Sequence, residues 1–85
     1  MTTAGSPDTI TPTANTIRAF VVQNPIKGPN KNGSSDVLLI SLDSGVTFFS
    51  LARGDVLTMS DINIADIRMD SNNNGTNYEI ILEQR

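Results

Sequence analysis

The sequence contains no cysteine, no histidine and no tryptophan. Without cysteine the chain forms no disulfide, and without cysteine and histidine it lacks the usual ligands of a zinc site. The same absences remove the ordinary nucleophile–base pairs of hydrolases. A chain of 85 residues also offers little room for a cleft that holds two catalytic carboxylates apart. The residues therefore predict that this protein is not an enzyme and that it uses no cofactor.

Clustered positive charge and long apolar segments are also missing. The chain has six Lys and Arg against nine Asp and Glu, and its basic residues are scattered. Nucleic-acid binding requires a clustered positive surface, so we expect no nucleic-acid partner. No apolar run approaches about eighteen residues, and the N-terminus lacks the basic and apolar regions of a signal peptide. We therefore expect no membrane partner.

Residues 1–15 differ in composition from the rest of the chain. They are rich in Thr, Ser and Pro, and Ile10 is their single large apolar residue after Met1. Such a segment buries too little surface to offset the entropy lost on ordering it. It is either a disordered tail or an arm that orders against a neighbouring subunit. The sequence thus predicts a flexible N-terminal arm over 1–15 and a single β domain over 16–85.

From Thr16 onward, short apolar segments alternate with turn signals. Residues 24–35 form a long loop with two Pro and two Gly, and long loops of this kind are often functional. No segment shows sustained helical periodicity, so the fold class is all-β: a small antiparallel β-sandwich or barrel of about six strands. The predicted strands cover 16–22, 37–42, 46–51, 56–59, 61–69 and 77–83.

Two of these strands carry finer expectations. The strand over 37–42 is apolar on both faces except at Ser41, so its second face must be covered by another sheet or another chain. It joins the next strand through a short loop at Asp43-Ser44-Gly45. In the strand over 61–69 the alternation of apolar and polar residues shifts by one position after Ile64. This shift predicts a β-bulge near Ala65–Asp66. A one-turn helix over residues 60–65 is the competing interpretation.

The turn at residues 70–75 partly matches a calcium loop. Asp70, Asn72 and Asn74 occupy positions 1, 3 and 5 of an EF-hand pattern, and Gly75 follows. The match then fails, because position 12 is Ile81 rather than a bidentate glutamate. Asn and Gly also favour turns for conformational reasons alone. We expect a plain β-turn, with these three residues as a weak calcium candidate.

Residues 24–85 resemble a group of small β proteins encoded among the virion genes of tailed bacteriophages. The resemblance lies in Asn24-Pro25, in the hairpin Ile40–Phe48, in the turn Leu51–Asp55 and in the closing segment Asp70–Ile81. These are turn and strand signals rather than a chemical signature. The sequence departs from the pattern at Ser44, where glycine is more common, and this departure leaves the hairpin feasible.

The resemblance implies a virion structural protein of the capsid cement or decoration type, made in the host cytoplasm. Its expected partners are the major capsid protein and copies of itself, as a homotrimer at three-fold or quasi-three-fold positions of the head. Apolar strand residues left uncovered by the chain itself, among Leu38, Ile40, Phe49 and Ile81, are further contact candidates. The candidate partner-binding residues in the arm and the long loop are Ser6, Pro7, Ile10, Pro12, Pro25, Ile26, Lys27 and Pro29.

A tail- or fibre-associated module that binds glycans or the host surface is the alternative. Glycan sites usually place an exposed aromatic ring beside Asp or Asn side chains. The chain has only four aromatic residues, which counts against this function. Tyr78 with residues 72–74 is the one cluster of the required type.

Overall fold

A computed structural model describes residues 1–13 and 15–85 of the chain. These residues form seven strands in two antiparallel sheets and contain no helix. It follows that no helix of the described residues is long and apolar enough to span a bilayer. The predicted all-β class and small antiparallel sandwich are confirmed. The strands are β1 (Asp8–Ile10), β2 (Ile17–Gln23), β3 (Leu38–Ser41), β4 (Phe49–Leu51), β5 (Val56–Met59), β6 (Ile67–Ser71) and β7 (Glu79–Gln84).

The two sheets have the orders β1-β6-β3-β4 and β5-β2-β7. Among the described strands, only β3 and β4 are consecutive in sequence and adjacent in one sheet; every other connection crosses to the opposite sheet. Such a topology places long-range contacts throughout the molecule. It also brings the loops between the sheets together at the two ends of the sandwich.

The core lies between the inner faces of the two sheets. Strands β2, β3 and β6 alternate between buried and more exposed positions, as expected for strands with one face on a core. The apolar pattern over 37–42 is thus explained in part by the second sheet, which covers Leu38 and Ile40. The buried apolar residues are Ile17, Phe20, Val22, Leu38, Ile40, Leu51, Ile67 and Met69.

The N-terminal segment lies on the sheet, and this differs from the expected separation between arm and domain. Strand β1 pairs antiparallel with β6, with Thr9 opposite Arg68. Thr2 is buried, its backbone N–H donates to the Thr76 carbonyl over 2.9 Å, and its hydroxyl is hydrogen-bonded to that of Ser71. The segment is therefore held by partners distant in sequence, which its own composition does not reveal.

The segment between β5 and β6 departs from the predicted fifth strand. Residues 60–66 form neither a one-turn helix nor a bulged strand, and β6 begins only at Ile67. Ile64 instead forms an isolated bridge with Ile17, whose N–H donates to the Ile64 carbonyl over 2.8 Å. The register shift lies in the pairing of β2 with β7, between Ile17 and Ala19, rather than near Ala65–Asp66. The shift in apolar periodicity over 61–69 therefore corresponds to the irregular segment that connects β5 of one sheet to β6 of the other.

The β3–β4 hairpin has a longer loop than predicted, because side chains bind its backbone. The Ser41 hydroxyl accepts a hydrogen bond from the Gly45 N–H, and the Asp43 carboxylate accepts one from the Thr47 N–H, both over 2.8 Å. These bonds hold residues 42–48 out of the ladder. Ser44 adopts a positive φ of 61°, the conformation that glycine takes without strain.

Candidate functional site

Three loops and the N-terminus meet at one end of the sandwich. Strands β2 and β6 end there and strands β3, β5 and β7 begin there, so the connecting loops are neighbours in space. The side chain of Asn72 links two of these loops, since its Nδ2 donates to the Ser35 carbonyl over 2.7 Å. This surface, here named the loop end, comprises residues 1–6, 24–37, 52–55 and 72–78.

Two buried asparagines hold the loop end together. Asn24 follows β2, and its Nδ2 donates to the carbonyls of Asp36 and Leu51 over 2.8 and 2.9 Å. Asn32 donates to the Asn24 side-chain oxygen over 2.6 Å and to the Asn77 carbonyl over 2.8 Å. Buried polar groups need such partners, and a fully satisfied network fixes one arrangement of the backbone. The long loop over 24–35 is thereby anchored at both ends.

The turn after β6 clamps the N-terminal residues onto the loop end. Asp70 Oδ1 accepts a hydrogen bond from the Gly5 N–H, and Asn74 Oδ1 accepts one from the Ala4 N–H, each over 2.9 Å. Gly75, which has a positive φ, donates its N–H to the Thr2 carbonyl over 2.8 Å. The polar turn is thus the counterpart that the N-terminal segment needs for its own backbone groups.

The same bonds bear on the weak calcium candidate. Asn72 Oδ1 accepts from the Val37 N–H over 2.8 Å, while the oxygens of Asp70 and Asn74 accept from residues 4 and 5. A calcium site requires its oxygens to converge on one point. Here Asp70 and Asn74 each direct an oxygen to the backbone of residues 4 and 5, whereas Asn72 directs its oxygen to the backbone of Val37. The arrangement serves to join segments of the chain.

The loop end contains most of the candidate partner-binding residues, with one correction. Ile26, Lys27 and Pro29 are exposed at the tip of the long loop, and Ser6 is exposed beside the clamped N-terminus. Pro25, by contrast, is fully buried beneath that loop, so it is not available to a partner.

The other arm candidates lie along the side of the sandwich. Ile10 and Pro12 are half-buried, and Ile10 packs against the core, whereas Pro7 is exposed. Ile10 is committed to the chain's own fold, because burying it there already removes most of its side chain from water.

Charge at the loop end is unevenly distributed. Lys27, Lys31 and Arg53 are three of the six basic residues of the chain, and all three are exposed here. Arg53 is tied to the long loop, since its guanidinium donates to the Asn32 carbonyl over 3.4 Å. Ile26 is 53% exposed, precedes Lys27 in the long loop and lies against Gly54, the residue after Arg53. The scattered sequence positions concealed this cluster.

The acidic side chains of the loop end are engaged within the chain. Asp55 accepts a hydrogen bond from the Ala52 N–H over 2.9 Å. The side-chain amide of Asn73 donates to Asp36 over 3.0 Å, and the Gly33 N–H donates to it over 2.7 Å. Both bonds favour the ionised carboxylate and lower the pKa of Asp36 below its ordinary value. Asp36 thus stabilises the start of β3 and is not a free general base.

A second candidate surface is the outer face of the three-stranded sheet, here named the outer sheet face. Its central row is Val21 of β2 flanked by Thr58 of β5 and Ile81 of β7. Ile81 is 78% exposed and Val56 is 55% exposed. The remaining outward residues of this face are Ala19, Gln23, Glu79 and Glu83.

The sequence identified this second surface only partly. Ile81 and Phe49 were among the candidates for uncovered strand residues and are exposed, whereas Leu38 and Ile40 are buried in the core. Val21 and Val56 were missed. A signal for Val21 exists in the run Phe20-Val21-Val22, because strict alternation puts the middle residue outward when its neighbours are buried.

The cluster considered for glycan binding is not arranged as an aromatic platform. Tyr78 is half-buried against the core, and its hydroxyl donates to the Asp8 carboxylate over 3.2 Å. Burial raises the pKa of the Tyr78 hydroxyl, and the neighbouring negative charge of Asp8 raises it further. The ring therefore helps to hold β1 rather than presenting a free face beside residues 72–74.

Comparisons with known protein families, with curated proteins and with solved structures found no match for this chain.

Proposed function

We propose that this chain is a virion structural protein, a capsid cement or decoration protein that attaches to the head shell of a tailed bacteriophage. The observation that carries the proposal is the loop end: a surface fixed by buried hydrogen bonds that gathers exposed basic and apolar residues. The segments that resemble small virion proteins supply part of this surface, namely residues 24–25, 52–55 and 72–78.

The chemistry of the loop end suits a protein partner. Ile26 offers an exposed apolar contact, and the exposed Lys27, Lys31 and Arg53 add positive charge to the same surface. A complementary surface on the major capsid protein would present acidic residues around an apolar pocket. Because the loop is anchored beneath by Asn24 and Asn32, little conformational entropy is lost when it binds.

A repeated shell strengthens such an attachment. Many identical sites, and several copies of the protein in one attached unit, allow each contact to be modest. The resemblance implies a trimer at three-fold or quasi-three-fold positions, and this is the arrangement proposed for the attached form. The N-terminal segment, with exposed Ser6 and Pro7 beside the loop end, would extend the contact towards neighbouring subunits.

The direct test is the copy number of this chain in purified particles, measured by quantitative mass spectrometry against the major coat subunit. Hundreds of copies are expected for a protein that covers the head. A dozen or fewer would assign it to the tail or portal, in line with the adhesion alternative. Absence from the particles would overturn a virion role.

A binding assay tests the loop end itself. Lys27→Glu should weaken sedimentation of the purified chain with heads assembled without it, because the substitution replaces a positive charge with a negative one at the contact. Val46→Glu is the matched control, since Val46 is exposed in the hairpin loop at the other end of the strands. Equal binding of the two variants would contradict the assignment of the loop end.

A further inference from the structure

The outer sheet face is apolar where a solvated sheet face is ordinarily polar. Thr58, Val21 and Ile81 lie side by side across its centre. We propose that this face is the contact between two copies of the chain, related by a two-fold axis parallel to β2. The inference is separate from the proposed function, which uses the loop end.

The outer sheet face carries both a protruding side chain, Ile81, here called the knob, and two depressions, here called the hollows. This combination favours a contact between two identical faces. Ile81 projects between two hollows and lines both of them. One hollow extends over Ala19, Val21 and Thr58, and the other lies over Val21 and Gln23. In an isologous contact both copies use the same surface, so that surface must be complementary to itself. A face that carries both a knob and a hollow can meet this requirement. Head-to-tail association would need the knob and the hollow on different faces.

The acidic side chains of the face are engaged by groups of the same chain. Glu83 lies 3.5 Å from the guanidinium of Arg18, and Glu79 accepts hydrogen bonds from the side chains of Gln23 and Asn30. The centre of the face carries no charged residue, since it consists of the row of Val21, Thr58 and Ile81. A second identical face is therefore not repelled from the central row.

The acidic residues select the direction of the axis. A two-fold axis parallel to β2 puts β7 of one copy over β5 of the other, so Glu79 and Glu83 face Val56 and Ser60. An axis perpendicular to the strands would put β7 over β7 and bring Glu79 of one copy towards Glu83 of the other. Like charges facing each other are unfavourable. The parallel axis avoids this repulsion.

The parallel axis also places each knob at a hollow. Ile81 of one copy faces Thr58 of the other, and Thr58 lines the more apolar of the two hollows. The two sheets then pack in an aligned manner, about 10 Å apart, as sheets do inside a sandwich. Each contact removes the most exposed apolar side chain of either sheet from water.

The outer sheet face and the loop end can be occupied at the same time. The face lies along the strands, whereas the loop end lies where β2 and β6 finish. A protein attached to a shell through its loop end presents the face sideways. The two-fold contact can therefore join copies at neighbouring positions on a shell.

Sedimentation equilibrium of the purified full chain tests the contact. We expect the mass to rise with concentration towards twice the 9.1 kDa of one chain. Ile81→Lys should weaken the dimer about thirtyfold or more, because it places a charge at the centre of the contact. Val46→Lys, at an 82% exposed position outside the face, should behave like the parent chain. A parent chain that stays monomeric, a limiting mass of three chains, or an Ile81→Lys variant that dimerises normally would overturn the proposal.

A complementation experiment tests the direction of the axis. Thr58→Glu should also abolish dimerisation, since it puts an acid against the knob of the other copy. Mixing Thr58→Glu with Ile81→Lys should restore a dimer, because one Lys then faces one Glu and the second contact is native. Thermal unfolding of each variant alone shows that the fold is intact, as expected for changes at outward positions. A mixture that remains monomeric would overturn the proposed arrangement.

Discussion

At the scale of single residues, buried asparagines determine the shape of the loop end. Asn24 and Asn32 are both buried, and between them their side chains satisfy backbone groups from three separate segments. An aliphatic residue at either position would fill space but leave these carbonyls without donors. The Asn-Pro pair at positions 24 and 25 therefore acts through hydrogen bonding and burial rather than through exposure to a partner.

Asn24→Ala should destabilise the protein by about 3 kcal/mol, because it removes the donor to the Asp36 and Leu51 carbonyls and one of the two acceptors of the Asn32 amide. Urea unfolding measures the change. Asn30→Ala is the control: Asn30 is exposed, and its side chain bonds only to the partly buried Glu79. A difference below about 0.5 kcal/mol between the two variants would show that the network contributes little.

Two carboxylates make stability depend on pH in acid. Hydrogen bonds from the Thr47 N–H and the Ser41 hydroxyl lower the pKa of Asp43, and bonds from Asn73 and Gly33 lower that of Asp36. Below their ordinary pKa of 3.8, the unfolded state takes up protons before the folded state does. The stabilisation is therefore complete above that pH and is lost as the pH falls through the folded values.

Asp43→Asn should be less stable than the parent chain at pH 7, and the difference should narrow as the pH is lowered below about 4. Urea unfolding across that range measures both curves. Asn73→Ala removes a hydrogen-bond donor to Asp36, so the free energy of unfolding of this variant should likewise depend less on pH in the acid range. Parallel curves for parent and variants would contradict the assigned hydrogen bonds.

At the scale of strands and loops, the sequence predicts what local pattern determines. Strand β5 matches its predicted segment, and β2 and β7 overlap theirs but extend one residue beyond the C-terminal end, because each alternates and ends near a turn signal. Strand β1 was missed, since three residues in a Thr- and Pro-rich segment carry no pattern and pair only because β6 offers an edge. Pro25 was misassigned for a related reason: its burial depends on a loop that long-range asparagine bonds fold over it.

Deleting residues 1–10 should lower the stability of the protein. A disordered arm would leave the melting temperature unchanged, but the structure predicts a loss of about 2 kcal/mol, roughly 10 °C, because the edge of β6 and the turn at 72–76 lose their partners. Differential scanning calorimetry measures the shift. Ser6→Ala, an exposed change in the same segment, should stay within about 1 °C of the parent chain. An unshifted truncated chain would restore the flexible-arm interpretation.

At the scale of the whole molecule, two surfaces with different chemistry share one rigid sandwich. The loop end exposes basic residues and Ile26, whereas the outer sheet face is apolar at its centre and its acids are engaged by groups of the same chain. The two surfaces are linked by one side-chain hydrogen bond, from Asn30 of the loop end to Glu79 of the outer sheet face, while Lys27 and Ile81 belong to different surfaces. Because the two surfaces consist of different residues of one small domain, substitutions can change self-association and attachment to a larger partner independently.

This independence gives the last prediction. Lys27→Glu should weaken binding to heads while leaving the dimer of the free chain unchanged, and Ile81→Lys should dissociate the dimer. Ile81→Lys should also weaken binding to heads, but only by the avidity that the second copy contributes, so its effect should disappear at saturating protein concentration. The double variant should show the product of the two single effects, since the residues lie on separate surfaces. Sedimentation equilibrium and head-binding isotherms of the parent chain, the two single variants and the double variant measure the effects on dimerisation and on head binding. If Lys27→Glu also dissociated the dimer, the loop end would be part of the contact between copies, and the separation of the two surfaces would be wrong.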